Sequence, residues 1–585
     1  MRKKGAYLIS TILIAAMLTG CGAADGTVSN NTNNTVVSAA ETDDDILEDD
    51  YEEADEEESN DSEDTDTETD EGDSVSEDSD SGSEEGNASS ETSQTSDDDE
   101  FTDRDVDYSY DESEAIEIIL NKDSASSDGA GVTIDGSTVT ISQEGIYVIS
   151  GSLEDGQIIV DADDTAKVQL VLNGVDITCS YSAAIYVRNA DKTFITLADG
   201  TENTLSDTGS AYTADGDENV DGVIYSKDDI TFNGSGYLTI EAGYNHGIVG
   251  NDDVKFTGGT YSINATNKGV KANDSIRIKD GTYIINSGDD ALHTSNYEED
   301  GKGYIYIVGG SFQLAAGDDG IHAEKELIIN DGTIDVSQSV EGLEGATIEI
   351  NGGDISVNAS DDGLNATGTS TSGSMDSVEM DFGDMKFGGG MMMDAVADAE
   401  LTINGGTIYV NAGGDGLDSN GYLYINDGIV TVDGPTNDGN GALDTGYTAY
   451  VNGGSVILVG SSGMAESFSA DSEQYSILYN FSNTLSEGTE IELIDESGNV
   501  VMSYTLNKTA NSVLLSSPDI KEGTYTIKAG STEDTITVTS ISTSGGVAGG
   551  FGGGMGTPGG DMGGDMSGGF GGPSGDMGGG FGGPQ

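Results

Sequence analysis

Basic residues are scarce in this sequence. Twenty lysines and arginines stand against 109 aspartates and glutamates, a formal net charge of −89. Such a chain repels phosphate backbones, which argues against nucleic acid as a partner. Divalent cations, or sugars reached through them, fit better, although the same charge also serves solubility alone. Cysteine is nearly missing: Cys21 and Cys179 are the two present, so no disulfide framework exists. Cys179 ends the strand-like stretch Val175–Cys179 and reads as a buried, inert thiol. The five prolines beside 87 glycines exclude a proline-rich linker or collagen and allow a turn-rich β architecture. Tryptophan is absent, so any exposed aromatic surface must come chiefly from the 25 tyrosines. The three histidines, His246, His293 and His322, are scattered on turns and form no metal-binding motif. Hydrophobic residues make up 35%, below the roughly 45–50% of globular chains, so much of the chain does not fold.

What is present begins with an export signal. Arg2, Lys3 and Lys4 precede an apolar run from Tyr7 to Leu18, too short to span a membrane as a mature helix. The run ends in Leu18-Thr19-Gly20-Cys21, which looks like a bacterial lipobox and makes Cys21 the expected lipidation site. Two acyl chains hold a protein stably on a membrane. The expected location is the extracellular face of a bacterial cell membrane, with residues 1–21 as signal. Residues 22–112 are dominated by Asp, Glu, Ser and Thr and cannot bury enough apolar surface to offset their ordering entropy. They are expected to be a disordered acidic linker, extended by like-charge repulsion.

The central chain repeats. A Gly-Gly or Asp-Gly pair before a short β run recurs at Gly258-Gly259, Asp280-Gly281, Gly309-Gly310, Asp331-Gly332, Gly352-Gly353, Gly405-Gly406, Asp427-Gly428 and Gly453-Gly454. Most steps are 21 or 22 residues, and the longer ones are that unit plus a loop. Alternating strands without helical periodicity, joined by glycine turns at a constant period, mean stacked coils. The fold is therefore all-β: a right-handed parallel β-helix with coils of about 22 residues. Asn330, Asn351, Asn404, Asn426 and Asn452 share one register and predict an asparagine ladder. Residues 113–245 are less regular first coils, 246–460 the β-helix repeats, and 368–398 a Met/Gly-rich insertion. Residues 461–543 form a small C-terminal β domain suited to capping, and 544–585 a disordered Gly/Met-rich tail.

A second marker lies between the β runs and carries the chemistry. Stacking brings Asp290, Asp319, Glu341, Asp362 and Asp415 within about 5 Å of their neighbours along the axis. Asp289, Asp318, Asp361 and Asp418 lie beside them. Carboxylates this close must take up a proton or a cation. Oxygen donors on glycine turns suit Ca²⁺ as the cofactor, but solvated turn residues would look the same. A lyase would need a basic residue as well as a cation. Lys268, Lys271 and Arg277 precede the column by one coil; Lys268 is a weak catalytic candidate, and pairing with stacked acids is the competing reading. Tyr297, Tyr304 and Tyr306, and Tyr422, Tyr424, Tyr447 and Tyr450, cluster near coil edges, either as a sugar platform or as core.

Five N-terminal stretches carry a resemblance: Gly145–Gly151, Asp155–Val160, Leu170–Val175, Ala183–Val187 and Ile195–Asn203. They resemble the carbohydrate-binding domain family of clostridial-type surface proteins, over roughly residues 113–541. The resemblance implies a right-handed, pectate-lyase-like β-helix, calcium ions, and binding to cellulose or acidic sugars, with no established catalysis. The expected function is a lipoprotein that binds polysaccharide with calcium. A calcium-dependent polysaccharide lyase and an adhesin or structural surface protein are the alternatives.

Overall fold

The computed structural model describes residues 100–212, 220–369 and 396–548. The signal 1–21 with Cys21, the linker up to residue 99, the insertion between 370 and 395, and the tail beyond 548 lie outside the described residues. Short parallel strands stack into a β-solenoid of about eleven turns with almost no helix. A regular coil supplies three strands, as in His246–Gly250, Asp253–Phe256 and Thr260–Ala265. The next coil repeats them as Val270–Ala272, Ser275–Ile278 and Thr282–Ser287. The three sets of strands form a first, second and third face.

Alternation decides which side chains enter the core. On the first face Ile248, Val270, Leu292, Ile321, Leu343 and Leu364 pair in register, and each is 0% exposed. Each such side chain contributes about 1.5–3 kcal/mol by leaving water. On the third face the rings of Tyr261, Tyr283 and Phe312 stack inside at 5.2 and 4.7 Å. The glycine marker works through the backbone. Its second residue has positive φ at every repeat, from 78° at Gly454 to 138° at Gly281, a region that side-chain-bearing residues avoid. The asparagine ladder forms as expected. Asn351, Asn404, Asn426 and Asn452 each donate from Nδ2 to the Oδ1 of the asparagine one coil before, at 2.8–2.9 Å.

The end of the expected linker is ordered. Helix α1 (Asp103–Val106) is capped by Thr102 and lies against the second face. Asp105 is fully buried, with its carboxylate 2.7 Å from Lys192 Nζ and accepting from Thr231 Oγ1 at 2.8 Å. Glu100 pairs with Arg277 at 3.3 Å and accepts from the Tyr304 hydroxyl at 3.0 Å. Residues 100–107 thus leave the linker assignment. Their composition is acidic, but Phe101 is buried and their acids meet a basic stripe on the second face.

Beyond Gly460 the parallel stack ends. Ser455–Gly460 pairs antiparallel with Ala510–Ser516, which pairs antiparallel with Ser476–Leu485. A separate antiparallel sheet joins Glu490–Asp495 to Val500–Thr505 and Gly523–Ala529, and the last of these to Thr532–Val538. Its core holds Ile477, Leu493, Val513 and Ile527. Ser542–Gly546 pairs with 476–480, so order runs past residue 543.

Candidate functional site

The first face carries two parallel ladders. One lies on the turn entering each strand, where the backbone N–H after each marker residue donates to the marker carbonyl of the next coil. Gly269, Ala291, Gly320, Gly342 and Gly363 donate in this way to Asp290, Asp319, Glu341, Asp362 and Asp415 at 2.8–3.1 Å. Glycine follows most markers because the coils approach closely: a Cβ on Gly363 would stand 2.5 Å from the Gly416 carbonyl oxygen. The second ladder is the outward residue of the strand itself. Lys271, His293, His322, Glu344, Asn365, Asp418 and Asp444 pair in that order. Charge therefore changes along the face, from lysines through histidines to carboxylates.

At the lysine end the acids are already neutralised. Lys268 bonds to Asp290 and lies 3.0 Å from Asp289. Burial pushes the Asp290 carboxyl up, but His293, Lys268 and the Asp319 N–H outweigh it and hold it well below the usual range. Burial pulls Lys268 down, yet Asp290 and Asp289 hold it above its ordinary value, so it stays an ammonium and offers no base. Lys268, the weak catalytic candidate, thus stands as an ion-pair partner of the stacked acids Asp289 and Asp290, the competing reading. Arg277 likewise pairs with Asp253 at 2.9 Å. His246 is buried, and burial followed by Lys271 and Lys268 pushes its pKa down to about 3, so it is neutral at ordinary pH.

The middle of the face brings together what sequence left scattered. His322 Nδ1 lies 2.9 Å from Asp319 Oδ2 and 3.2 Å from Glu344 Oε2. His293 Nδ1 lies 2.8 Å from Asp290 Oδ2, and the two imidazole centroids are 4.8 Å apart. Burial lowers His293. Burial also opposes charge on His322, but Asp319 and Glu344 outweigh it and raise its pKa. The sequence held a signal for this pair: Asp-Asp-x-x-His occurs at 289–293 and again at 318–322.

Among the described residues the carboxylate end has no chain cation of its own. Between Lys325 and Lys508 the sequence has one basic residue, Lys386, which lies outside the described residues. Asp362 Oδ1 accepts from the Asp415 N–H at 2.6 Å, and Glu341 accepts from Asn365 Nδ2 at 2.7 Å. Burial raises both Asp362 and Glu341. Burial, then Asp444 and Asp362, pushes Asp415 up to about 7. Burial, then Asp415 and Asp362, pushes Asp418 up to about 8. Glu466, beside Asp444, rises to about 7, chiefly by burial. Sequence reasoning missed Glu466 because it comes after the repeat ends.

The five acids expected to ligate metal do not converge on one point. Among the described residues, three donors come within 4.8 Å of one another in Asp290/His293/His322, Asp319/His322/Glu344 and Asp289/Asp290/Asp318. Glu341, Asp362 and Asp415 join none of these groups. Their ladder carboxylates spend one oxygen on the turn or on a neighbouring amide, as turn residues do.

Around the corner from the acids is an aromatic surface. Asn420 and Gly421 separate the strand Leu417–Ser419 from Tyr422–Ile425. In the latter, Leu423 and Ile425 are buried while Tyr422 and Tyr424 are partly exposed. Tyr422 stacks on Tyr447 at 5.0 Å, and Tyr424 on Tyr450 at 5.2 Å with planes 6° apart. Tyr447 is 46% exposed. Alternation thus turns these tyrosines outward. Tyr304 is covered by Glu100, and Tyr306 is buried, its hydroxyl bonded to Asn330.

A family model for carbohydrate-binding domain-containing protein matches residues 135–390. A protein of that description from Acetivibrio thermocellus is 42% identical over 222 residues, covering 38% of this chain and 78% of the relative. A solved structure described as the polysaccharide lyase-like protein from C. thermocellum, a gadolinium derivative, is 36% identical. It covers 41% of this chain and 93% of its own, with a TM-score of 0.37. With a stacked-coil fold and most of that relative's length matched, this chain belongs to the family of carbohydrate-binding domain-containing proteins.

Proposed function

We propose that the chain is a cell-surface lipoprotein, anchored through Cys21, that binds polysaccharide along its first and second faces with calcium assistance. The ligand class is cellulose or an acidic, pectic sugar. The observation that carries this reading is the outward platform of Tyr422, Tyr424, Tyr447 and Tyr450, one short turn from the carboxylate end of the ladders. Tyrosine rings present an apolar body to a sugar face and a hydroxyl to its rim. Asp362, Asp415, Asp418 and Asp444 would have to draw closer to hold the calcium, since none of them is in the groups of three donors within 4.8 Å of one another among the described residues. Their donors are all oxygens with no lysine or arginine close by among the described residues, which suits a hard cation. The ion would supply the positive charge that the described residues lack there and would bridge to a sugar carboxylate.

Retention of the full chain on insoluble cellulose and pectin, with calcium and with chelator, tests the proposal. Tyr422→Ala with Tyr450→Ala is expected to weaken retention at least tenfold. Undiminished retention would remove the platform from the reading. Retention on neither polymer would favour the adhesin alternative. Polygalacturonate is expected to yield no unsaturated product absorbing in the ultraviolet. Product would establish the lyase alternative, with a base other than Lys268.

A further inference from the structure

The histidines in the middle of the first face form a group unlike the all-oxygen end. His322 Nδ1, Asp319 Oδ2 and Glu344 Oε2 face one another across 2.9 and 3.2 Å. Donors around a tetrahedral zinc ion, bound at about 2.0–2.1 Å, stand roughly 3.3 Å apart, so small adjustments would admit the ion. Asp319 is 5% exposed, and His322 and Glu344 are half-buried, so the donors are held on packed strands. His293 sits one coil before, its ring 4.8 Å from that of His322. Its Nδ1 is buried and close to Asp290 Oδ2, yet lacks a well-aligned hydrogen bond. Asp290 is tied to Lys268, which places the free donors on the Glu344 side.

We propose that Asp319, His322 and Glu344, with His293 beside them, form a binding site for a transition-metal dication of the zinc class, separate from any calcium at the carboxylate end. Imidazole nitrogen selects zinc, cobalt or nickel over calcium, which prefers oxygen throughout. Two carboxylates and one imidazole fill three positions. The fourth is open to water, to His293 or to an oxygen of a bound ligand.

Cobalt(II) is the probe, because a low-coordinate site with a nitrogen ligand gives intense visible absorption, whereas octahedral cobalt held weakly on surface acids gives only faint bands. The full chain, without an affinity tag, is titrated with cobalt and then with zinc. One cobalt per chain with visible bands, displaced by zinc, is expected. His322→Ala and Glu344→Gln should each weaken binding at least tenfold, and Asp415→Asn should leave it unchanged. Melting curves of His322→Ala without metal check that the fold survives, and His322→Gln serves if it does not. Calcium titration of the His322 and Glu344 variants should match the unsubstituted chain, which keeps failure of this site apart from failure of the calcium reading. Absence of intense visible bands in the unsubstituted chain, or identical spectra after His322 substitution, would overturn the site.

Discussion

Asp105 shows how much one buried carboxylate can hold. It is 0% exposed, and its partner Lys192 is 8% exposed. Asp105→Asn would leave the lysine buried without its counter-charge, at a cost of about 3 kcal/mol. Burial raises the Asp105 pKa, but bonds from Lys192, Thr102 and Thr231 bring it down from 3.8 to about 2. A depressed folded pKa contributes stability above the unfolded pKa and loses it as pH falls through the folded one. The shift corresponds to about 2 kcal/mol. Denaturant melts should therefore show the gap between the natural chain and Asp105→Asn constant from pH 7 to 5 and closing from pH 4 to 2. A gap that ignores pH would mean the pair is not ionic.

At the scale of a strand or ladder, stacking of like on like sets the energies. Tyr283 lies between Tyr261 and Phe312, and its hydroxyl donates to the Asp280 carbonyl at 2.9 Å. Tyr283→Ala empties a ring from a closed column and should cost about 3–5 kcal/mol. Tyr283→Phe loses only the hydroxyl bond and should cost about 1 kcal/mol. Asn404 bonds to both Asn351 and Asn426, while Asn452 ends the ladder. Asn404→Ala should therefore destabilise more than Asn452→Ala, by about 1 kcal/mol in thermal melts. Equal effects would mean that the second ladder bond of Asn404 adds nothing to stability.

Across the whole repeat region, an open solenoid end is the hazard. Ser455–Gly460 offers its free edge to Ala510–Ser516. A chain ended after residue 460 would bare that edge and the apolar side chains of Ile457 and Val459. Such a chain should self-associate in size-exclusion chromatography with light scattering, whereas the full chain should not do so through this edge. A monomeric truncated chain would deny the domain its capping role. The same scale shows the electrical layout of the first face. Basic residues concentrate before residue 326, so among the described residues the later coils present acid without a paired lysine or arginine on the first face.

The sequence by itself determined the stack, its period and the asparagine ladder. These follow from local rules: alternation chooses inside from outside, and glycine with positive φ fixes each turn. It also placed Asp290, Asp319, Glu341, Asp362 and Asp415 in one column, because a constant period is readable without coordinates. What tertiary structure decided lies where that period breaks or where chain segments meet from afar. His293 and His322 share the offset of Asp290 and Asp319, but only packing brought their rings together and set His322 between Asp319 and Glu344. Alternation alone left open which tyrosines faced out, and packing of Leu423 and Ile425 inward settled Tyr422 and Tyr424. Residues 100–107 share the linker's composition, and only their meeting with Lys192 and Arg277 made them ordered. Charge pairing works through distance in space, and the sequence gives only distance along the chain. Thus the column of acids was legible, while its division into a neutralised, a histidine-bearing and an uncompensated part was not.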